Sequence, residues 1–196
     1  MAVALRCEAG CGRRYAARMR ADARRLMAAC GVASCELSVV ISGDDFIRAL
    51  NRDFRGKDRA TDVLSFSQLE EAEPAESAPR PARARPAGRL PGGAQAGTLA
   101  PRPGTPLGDV VISAEAAERQ ARRLGVAPEE RMRTLLVHGM LHVLGYDHER
   151  STGEARRMFA RERELSAALA AADGGATAGA RASRAIRKRI PRAVRR

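Results

Sequence analysis

The stretch "PEERMRTLLVHGMLHVLGYDH", Pro128 to His148, organises the rest of the chain. Pro128 suits the first turn of a helix, where its missing N–H leaves no bond unmade. The run that follows continues that helix to Gly145, which is placed to end it in a left-handed conformation that few other residues tolerate. All three histidines of the protein, His138, His142 and His148, fall in this stretch. Residues i and i+4 share one helix face, so His138 and His142 present two imidazoles to one ion. The reversal at Gly145 lets His148 swing back as a third ligand. Gly139 costs a helix roughly 1 kcal/mol relative to Ala and fits a place where something approaches the backbone closely.

Three neutral imidazoles leave a tetrahedral Zn2+ one open position, the arrangement of a catalytic rather than a closed structural site. An ion held this way lowers the pKa of bound water to ~7. One zinc ion on His138, His142 and His148 is therefore expected. The spacing H-x3-H-x2-G-x2-H is that of the metzincin proteases, but the Glu those enzymes use as general base is replaced here by Gly139. Proteolysis is disfavoured for want of that residue. Asp147, beside His148, either orients an imidazole from behind or serves only as a turn residue.

Upstream, Tyr15, Met19, Leu26, Met27 and Cys30 recur at helical spacing and predict a helix over 11–30, closed by Gly31. "CELSVVIS" (35–42) and "TDVLSFS" (61–67) read as strands, with a helix through "DDFIRALNRDF" between them, capped by Ser42 and ending before Gly56. "LGDVVIS" (107–113) is a third strand, and Ser113 caps a helix through Leu124 that Gly125 closes. Ser151 and Glu154 form a capping box for a last helix carrying Met158, Phe159, Leu165 and Leu169. Together these predict an α+β fold, a small mixed sheet of three to four strands covered by about five helices around a metzincin-like three-His site.

A single domain over 1–68 and 107–173 is expected, interrupted by a disordered Pro/Ala/Arg-rich insert at 69–106 and followed by a basic disordered tail at 174–196. The net charge of +12 is concentrated in these segments: eight basic and no acidic residues from Gly174 onward, and five Arg without an acid from Ser77 to Pro106. The remaining body is close to neutral, so the basicity supports polyanion binding by the tail rather than defining the fold. Aromatic content of 3% without Trp makes the core aliphatic. No apolar run reaches the ~20 residues of a membrane span. The first twenty residues lack a secretory pattern, and a cytoplasmic location is expected. Cys7, Cys11, Cys30 and Cys35 are spaced C-x3-C and C-x4-C, off the usual zinc-knuckle pattern, and are read mainly as free core thiols.

"HGMLHVLGYDH" (138–148), "LNRDFRGKDRATDVLSF" (50–66) and "LGDVVIS" together resemble the YbeY family of bacterial rRNA maturation factors. The resemblance covers about 35–169 outside the insert. It implies a single-strand-specific, metal-dependent endoribonuclease acting at the small-subunit rRNA 3′ end and in ribosome quality control. It further implies zinc on the three histidines and a functional role for Arg55. Partners implied are single-stranded rRNA, the small ribosomal subunit, and a ribosomal protein or GTPase. Ala60 and Ser67 stand where the family usually carries Pro, and both the insert and the tail are additions.

Residue chemistry agrees with that role for Arg55, since guanidinium forks bind phosphate bidentately. The alternative is an Arg that merely complements the end of its helix. Lys57 and Arg59 are phosphate contacts or solvated charges. Thr61 and Asp62 cap or line the strand that follows. Phe66 and Tyr146 either stack on RNA bases or pack internally. The competing function is a non-catalytic, zinc-stabilised rRNA-binding assembly factor, with a metallopeptidase a more distant alternative. Hydroxide and the RNA 2′-OH both remain open as the nucleophile.

Overall fold

Strand β2 (Glu36–Ser42) lies inside a four-stranded mixed sheet of order β1-β2-β4-β3. Its neighbours β1 (Ala2–Cys7) and β4 (Pro106–Ser113) run parallel to it, and β3 (Val63–Ser67) closes one edge antiparallel to β4. Five helices accompany the strands among the described residues, which are 2–69 and 101–172 of a computed structural model: α1 Ala16–Ala29, α2 Asp44–Arg55, α3 Ala114–Leu124, α4 Pro128–Val143 and α5 Thr152–Ala171. The α+β architecture expected from the sequence is the one observed.

Alternation along β2 shows how the layers are arranged. Leu37, Val39 and Ile41 join Val110 and Ile112 of β4 on one face, under α1, α3, α4 and α5. Val40, Val111 and Leu64 point to the other face, where Ile47, Phe46 and Leu50 of α2 cover them. With helices on both sides, the C-terminal half of β2 is buried at every position from Val39 to Ser42, as a two-sided strand must be. The main core is aliphatic and sulfur-rich, with Tyr15 its one fully buried aromatic ring. A buried carboxylate, Asp22 on α1, receives Arg18 from its own helix and Arg133 from α4 at 3.0 and 3.1 Å, clamping the two helices together.

Helix α4 is the central element. From Leu135 to Val143 every residue is buried except His138 and His142. Gly139 lies where the helix presses on the sheet: a Cβ there would sit 2.6 Å from Val110 Cγ1 and 3.1 Å from Ser65 Oγ. The close approach anticipated at this glycine is made by the protein's own β3 and β4. The helix ends as expected. Gly145 is left-handed (φ +87°), Gly145 N–H donates to His142 O and Tyr146 N–H to Leu141 O, the paired bonds of a Schellman stop. Ser113 and Ser151 cap α3 and α5, accepting from Ala116 N–H and Glu154 N–H.

Four readings need correction. Strand β1 is an addition to the predicted elements: "AVALRC" alternates Val3, Leu5 and Cys7 with Ala2, Ala4 and Arg6, but over only six residues, and its pairing to β2 supplies the regularity that so short a segment lacks. Helix α1 starts at Ala16, after a left-handed Gly12 and a 3-10 turn at Arg13–Tyr15. Ser42 does not cap α2; it belongs to β2 and its Oγ donates to Ile112 O, while Glu115 of α3 accepts the N–H of Asp44 at 2.8 Å. Within the insert, residues 101–106 are hydrogen-bonded: Gly104 N–H donates to Ser34 O, Thr105 N–H to Arg102 O, and Pro106 already opens β4. The rest of the insert, 70–100, and the tail from 173 onward lie outside the described residues.

Gly139→Ala is expected to lower stability by about 1–3 kcal/mol, because overpacking against Val110 outweighs the better helix propensity of Ala. Gly153→Ala in α5, where a new Cβ meets only Ser151 Oγ at 3.8 Å, should be neutral or gain a few tenths to about 1 kcal/mol. Urea unfolding of both variants checks the opposite signs.

Candidate metal centre

One helix and the turn that follows it bring the three imidazoles together. His138 and His142 occupy successive turns of α4, and the reversal at Gly145 returns the chain so that His148 faces them. Ring centroids are 4.8 Å apart for His138 and His142, 5.2 Å for His138 and His148, and 5.1 Å for His142 and His148. One ligand nitrogen from each lies within 4.8 Å of the others, and this is the one such group of potential metal ligands among the described residues. All three rings are half-buried, so the centre opens to solvent on one side.

The donor atoms fit a cation. His142 Nε2 stands 3.2 Å from His138 Nε2. A tetrahedral zinc with Zn–N bonds of ~2.0–2.1 Å separates its nitrogens by about 3.3 Å. His138 Nδ1 is turned to the Glu162 carboxylate at 3.4 Å, and its Nε2 is the nitrogen beside His142. His148 Nδ1 is buried and without a hydrogen-bond partner among the described residues, an unmet donor or acceptor of the kind that a binding site leaves behind. Burial, followed by the like charges of His138 and His148, pushes the His142 imidazole below its usual pKa. It is therefore neutral at physiological pH, the form that binds metal.

Helix α5 forms the wall behind the histidines. Besides Glu162, it brings Phe159, whose ring centroid is 5.8 Å from that of His148 while the side chain remains exposed. Neither residue was singled out for the site from the sequence. The one available signal was their i,i+3 spacing on a helix following the third histidine. Asp147 takes the turn role: Oδ1 accepts from Glu149 N–H at 2.8 Å, and Oδ2 pairs with Arg150.

Arg55 makes no hydrogen bond or ion pair with the imidazoles among the described residues. It ends α2, on the opposite face of the sheet from α4, exposed and without an ion pair or hydrogen bond among the described residues. Edge strand β3 lies between the two groups. Its Phe66 meets Phe54, the residue before Arg55, edge-on at 5.2 Å, and its Ser67 Oγ donates to Val143 O at the end of α4. Phe66 packs against the smaller cluster on α2's side, whereas Phe54 is 67% exposed. Tyr146 is exposed at the α4 stop, and Lys57 and Arg59 are exposed in the α2–β3 loop. Asp62 anchors that loop: Oδ1 accepts from Val63 N–H, and Oδ2 from Gln120 of α3 and Arg131 of α4. The four cysteines are free, with Cys35 buried, and form no metal cluster among the described residues.

The model of the family "Endoribonuclease YbeY" matches residues 14–170. The chain belongs to the YbeY family. It is 44% identical over 153 residues to an Endoribonuclease YbeY of Geobacter sulfurreducens, covering 78% of this chain and 85% of that protein. The Endoribonuclease YbeY of Anaeromyxobacter sp. is 42% identical, covering 86% of this chain and 72% of that one. The fold also resembles the solution structure of TM1509 from Thermotoga maritima, with a TM-score of 0.54, 19% identity and 99% of each chain covered. As a YbeY family member, the protein is a nuclease whose three-histidine group can hold a metal ion. Among its described residues no helix is long and apolar enough to cross a membrane.

The Asp62 carboxyl carries a testable pH dependence. Burial pushes it up, but hydrogen bonds from Gln120 and the backbone, with the charge of Arg131, bring it below its ordinary value of 3.8. A carboxyl depressed by folding adds stability that is present above the unfolded pKa and lost as pH falls through the folded one. Asp62→Asn should therefore be less stable than the wild type near neutral pH, with the gap closing below 3.8. Urea unfolding across that range measures it; a constant gap would contradict the assignment.

Proposed function

We propose that this chain is a zinc-dependent endoribonuclease that cuts single-stranded RNA, acting on the small-subunit rRNA 3′ end and in ribosome quality control in the cytoplasm. The observation that carries the reading is the convergence of three half-buried imidazoles, one ligand nitrogen of each within 4.8 Å of the others, in a chain of the YbeY family. His138, His142 and His148 are the residues that would hold one zinc ion. Bound there, the metal supplies Lewis acidity for phosphodiester hydrolysis.

The protein's own groups bind and orient the RNA. Arg55, exposed and unengaged at the end of α2, grips a phosphate through its planar guanidinium and stabilises charge that develops there. Lys57 and Arg59 add backbone contacts along the same loop. Phe54 presents an exposed ring beside Arg55, a surface on which an unpaired base can stack. Helix α2, which Arg55 ends, packs on the face of the sheet opposite α4, and in this reading the RNA runs along the β3 edge to reach both Arg55 and the histidines. Stacking and edge wrapping both require an unpaired strand, which favours single-stranded substrates. Proteolysis is opposed by packing: the position of a metzincin's general base is Gly139, and that position faces β3 and β4 with no room for a Glu. In this reading the partners are the small ribosomal subunit and its rRNA, with a ribosomal protein or GTPase alongside.

The decisive experiment pairs metal analysis of the purified protein with cleavage of a short single-stranded RNA. One zinc per chain and chelator-sensitive cleavage are expected. His142→Ala should lose metal and cleavage together, and Arg55→Ala should lose roughly 100-fold in cleavage rate while keeping its metal. Undiminished cleavage by both folded variants would refute the nuclease assignment for these residues, and cleavage by neither them nor the wild type would favour a binding factor.

A further inference from the structure

We propose that Glu162 on α5 is a positioning residue for the metal centre, fixing His138 in the tautomer that offers Nε2 to the ion. The inference rests on the metal-binding reading of the three histidines and adds a residue outside the ligand set.

The geometry has three parts. Glu162 Oε2 lies 3.4 Å from His138 Nδ1, the ring nitrogen other than the one beside His142. His138 Nε2 lies on the inner side, 3.2 Å from His142 Nε2. Both partners are largely shielded, with side-chain exposures of 22% for His138 and 19% for Glu162. A carboxylate has only acceptor sites, so it selects the tautomer with hydrogen on Nδ1. The Nε2 lone pair then points at the centre before any metal arrives. A neutral imidazole in the other tautomer would set an N–H where the cation belongs.

Placement on a separate helix makes the effect specific. Helix α5 is seated by Met158, Leu165 and Leu169, which are buried in the main core on the side of the helix away from solvent. Glu162 is therefore held by packing that does not depend on the histidines. No hydrogen bond to another group is recorded for its carboxylate among the described residues, whereas its neighbour Glu164 pairs with Arg161 on the surface. A half-buried carboxylate directed only at an imidazole has no role in clamping the fold. Carboxylates that hold the outer nitrogen of a metal-bound histidine typically strengthen metal binding by about 10–100-fold.

Two measurements on the full chain test the proposal. The first is zinc affinity by competition with a chromophoric chelator for wild type, Glu162→Gln and Glu162→Ala. Glu162→Ala should bind zinc about 10–100-fold more weakly, and Glu162→Gln, which keeps a carbonyl acceptor, should recover part of that loss. The second is the nitrogen chemical shifts of His138 in the metal-free protein at a pH where it is neutral. The wild type should show hydrogen on Nδ1, and Glu162→Ala should move toward hydrogen on Nε2. Thermal unfolding of the metal-free forms identifies any variant that fails to fold; Glu162→Gln, nearly isosteric, then carries the test alone. Equal zinc affinity and an unchanged tautomer in folded variants overturn the role of Glu162 while leaving the metal site intact. A wild type that takes up no zinc overturns the metal reading itself, and this inference with it.

Discussion

The contact between α4 and the sheet is the constraint on which the rest of the structure depends. Helix α4 is pressed against β3 and β4 closely enough that Gly139 has no space for a side chain. That approach sets the rotation of the helix about its own axis. With Gly139 facing the sheet and the flanking apolar residues buried, His138 and His142 are left as the only two residues between Leu135 and Val143 that reach solvent. A helix turned by one residue would bury an imidazole against Val110 and expose a leucine or methionine. The cost of either change is several times the thermal energy, so the direction of the two histidines follows from core packing rather than from the histidines themselves.

A second consequence is the division of labour between the two ends of α4. The N-terminal half is tied to α1 through the buried Asp22–Arg133 pair and to β3 and α3 through the Asp62–Gln120–Arg131 network. The C-terminal end carries the imidazoles and stops in the left-handed turn that delivers His148. The anchors of the N-terminal half thus sit apart from the three imidazoles, whose charged neighbours are Glu162 on α5 and Asp147 in the turn. Helix α5 completes this arrangement by presenting Phe159 and Glu162 to the rings from a seat in the same core.

The sheet edge divides the remaining functional surface. Strand β3 is short and antiparallel to its one neighbour, and its two faces serve different neighbours: Leu64 and Phe66 meet α2, whereas Val63 and Ser65 meet Gly139 on α4. The exposed ring of Phe54, next to Arg55 at the end of α2, therefore belongs to one side of this edge and the imidazoles to the other. Period-two alternation alone produces that separation. A polyanion must engage both sides of the edge to meet all of them.

Much of this was legible in the linear chain because its signals are local. The H-x3-H spacing and the glycine stop required only helix geometry, and the caps at Ser113 and Ser151 required only bonds within one turn. These features are set by neighbours three to five residues apart, so the sequence by itself determined the grouping of the three histidines, the stop of α4, the caps of α3 and α5, and the α+β class. Non-local choices were not legible. The strand "AVALRC" becomes regular only through its pairing with β2, and α2 takes its cap from Glu115 of another helix instead of from Ser42. Likewise Glu162 reaches His138 from 24 positions along the chain, and α2 packs on the far face of the sheet although the segment that follows it leads directly into β3. Those outcomes depend on which faces are buried against which, a property of packed layers that no short window of residues contains; only the tertiary structure decided them.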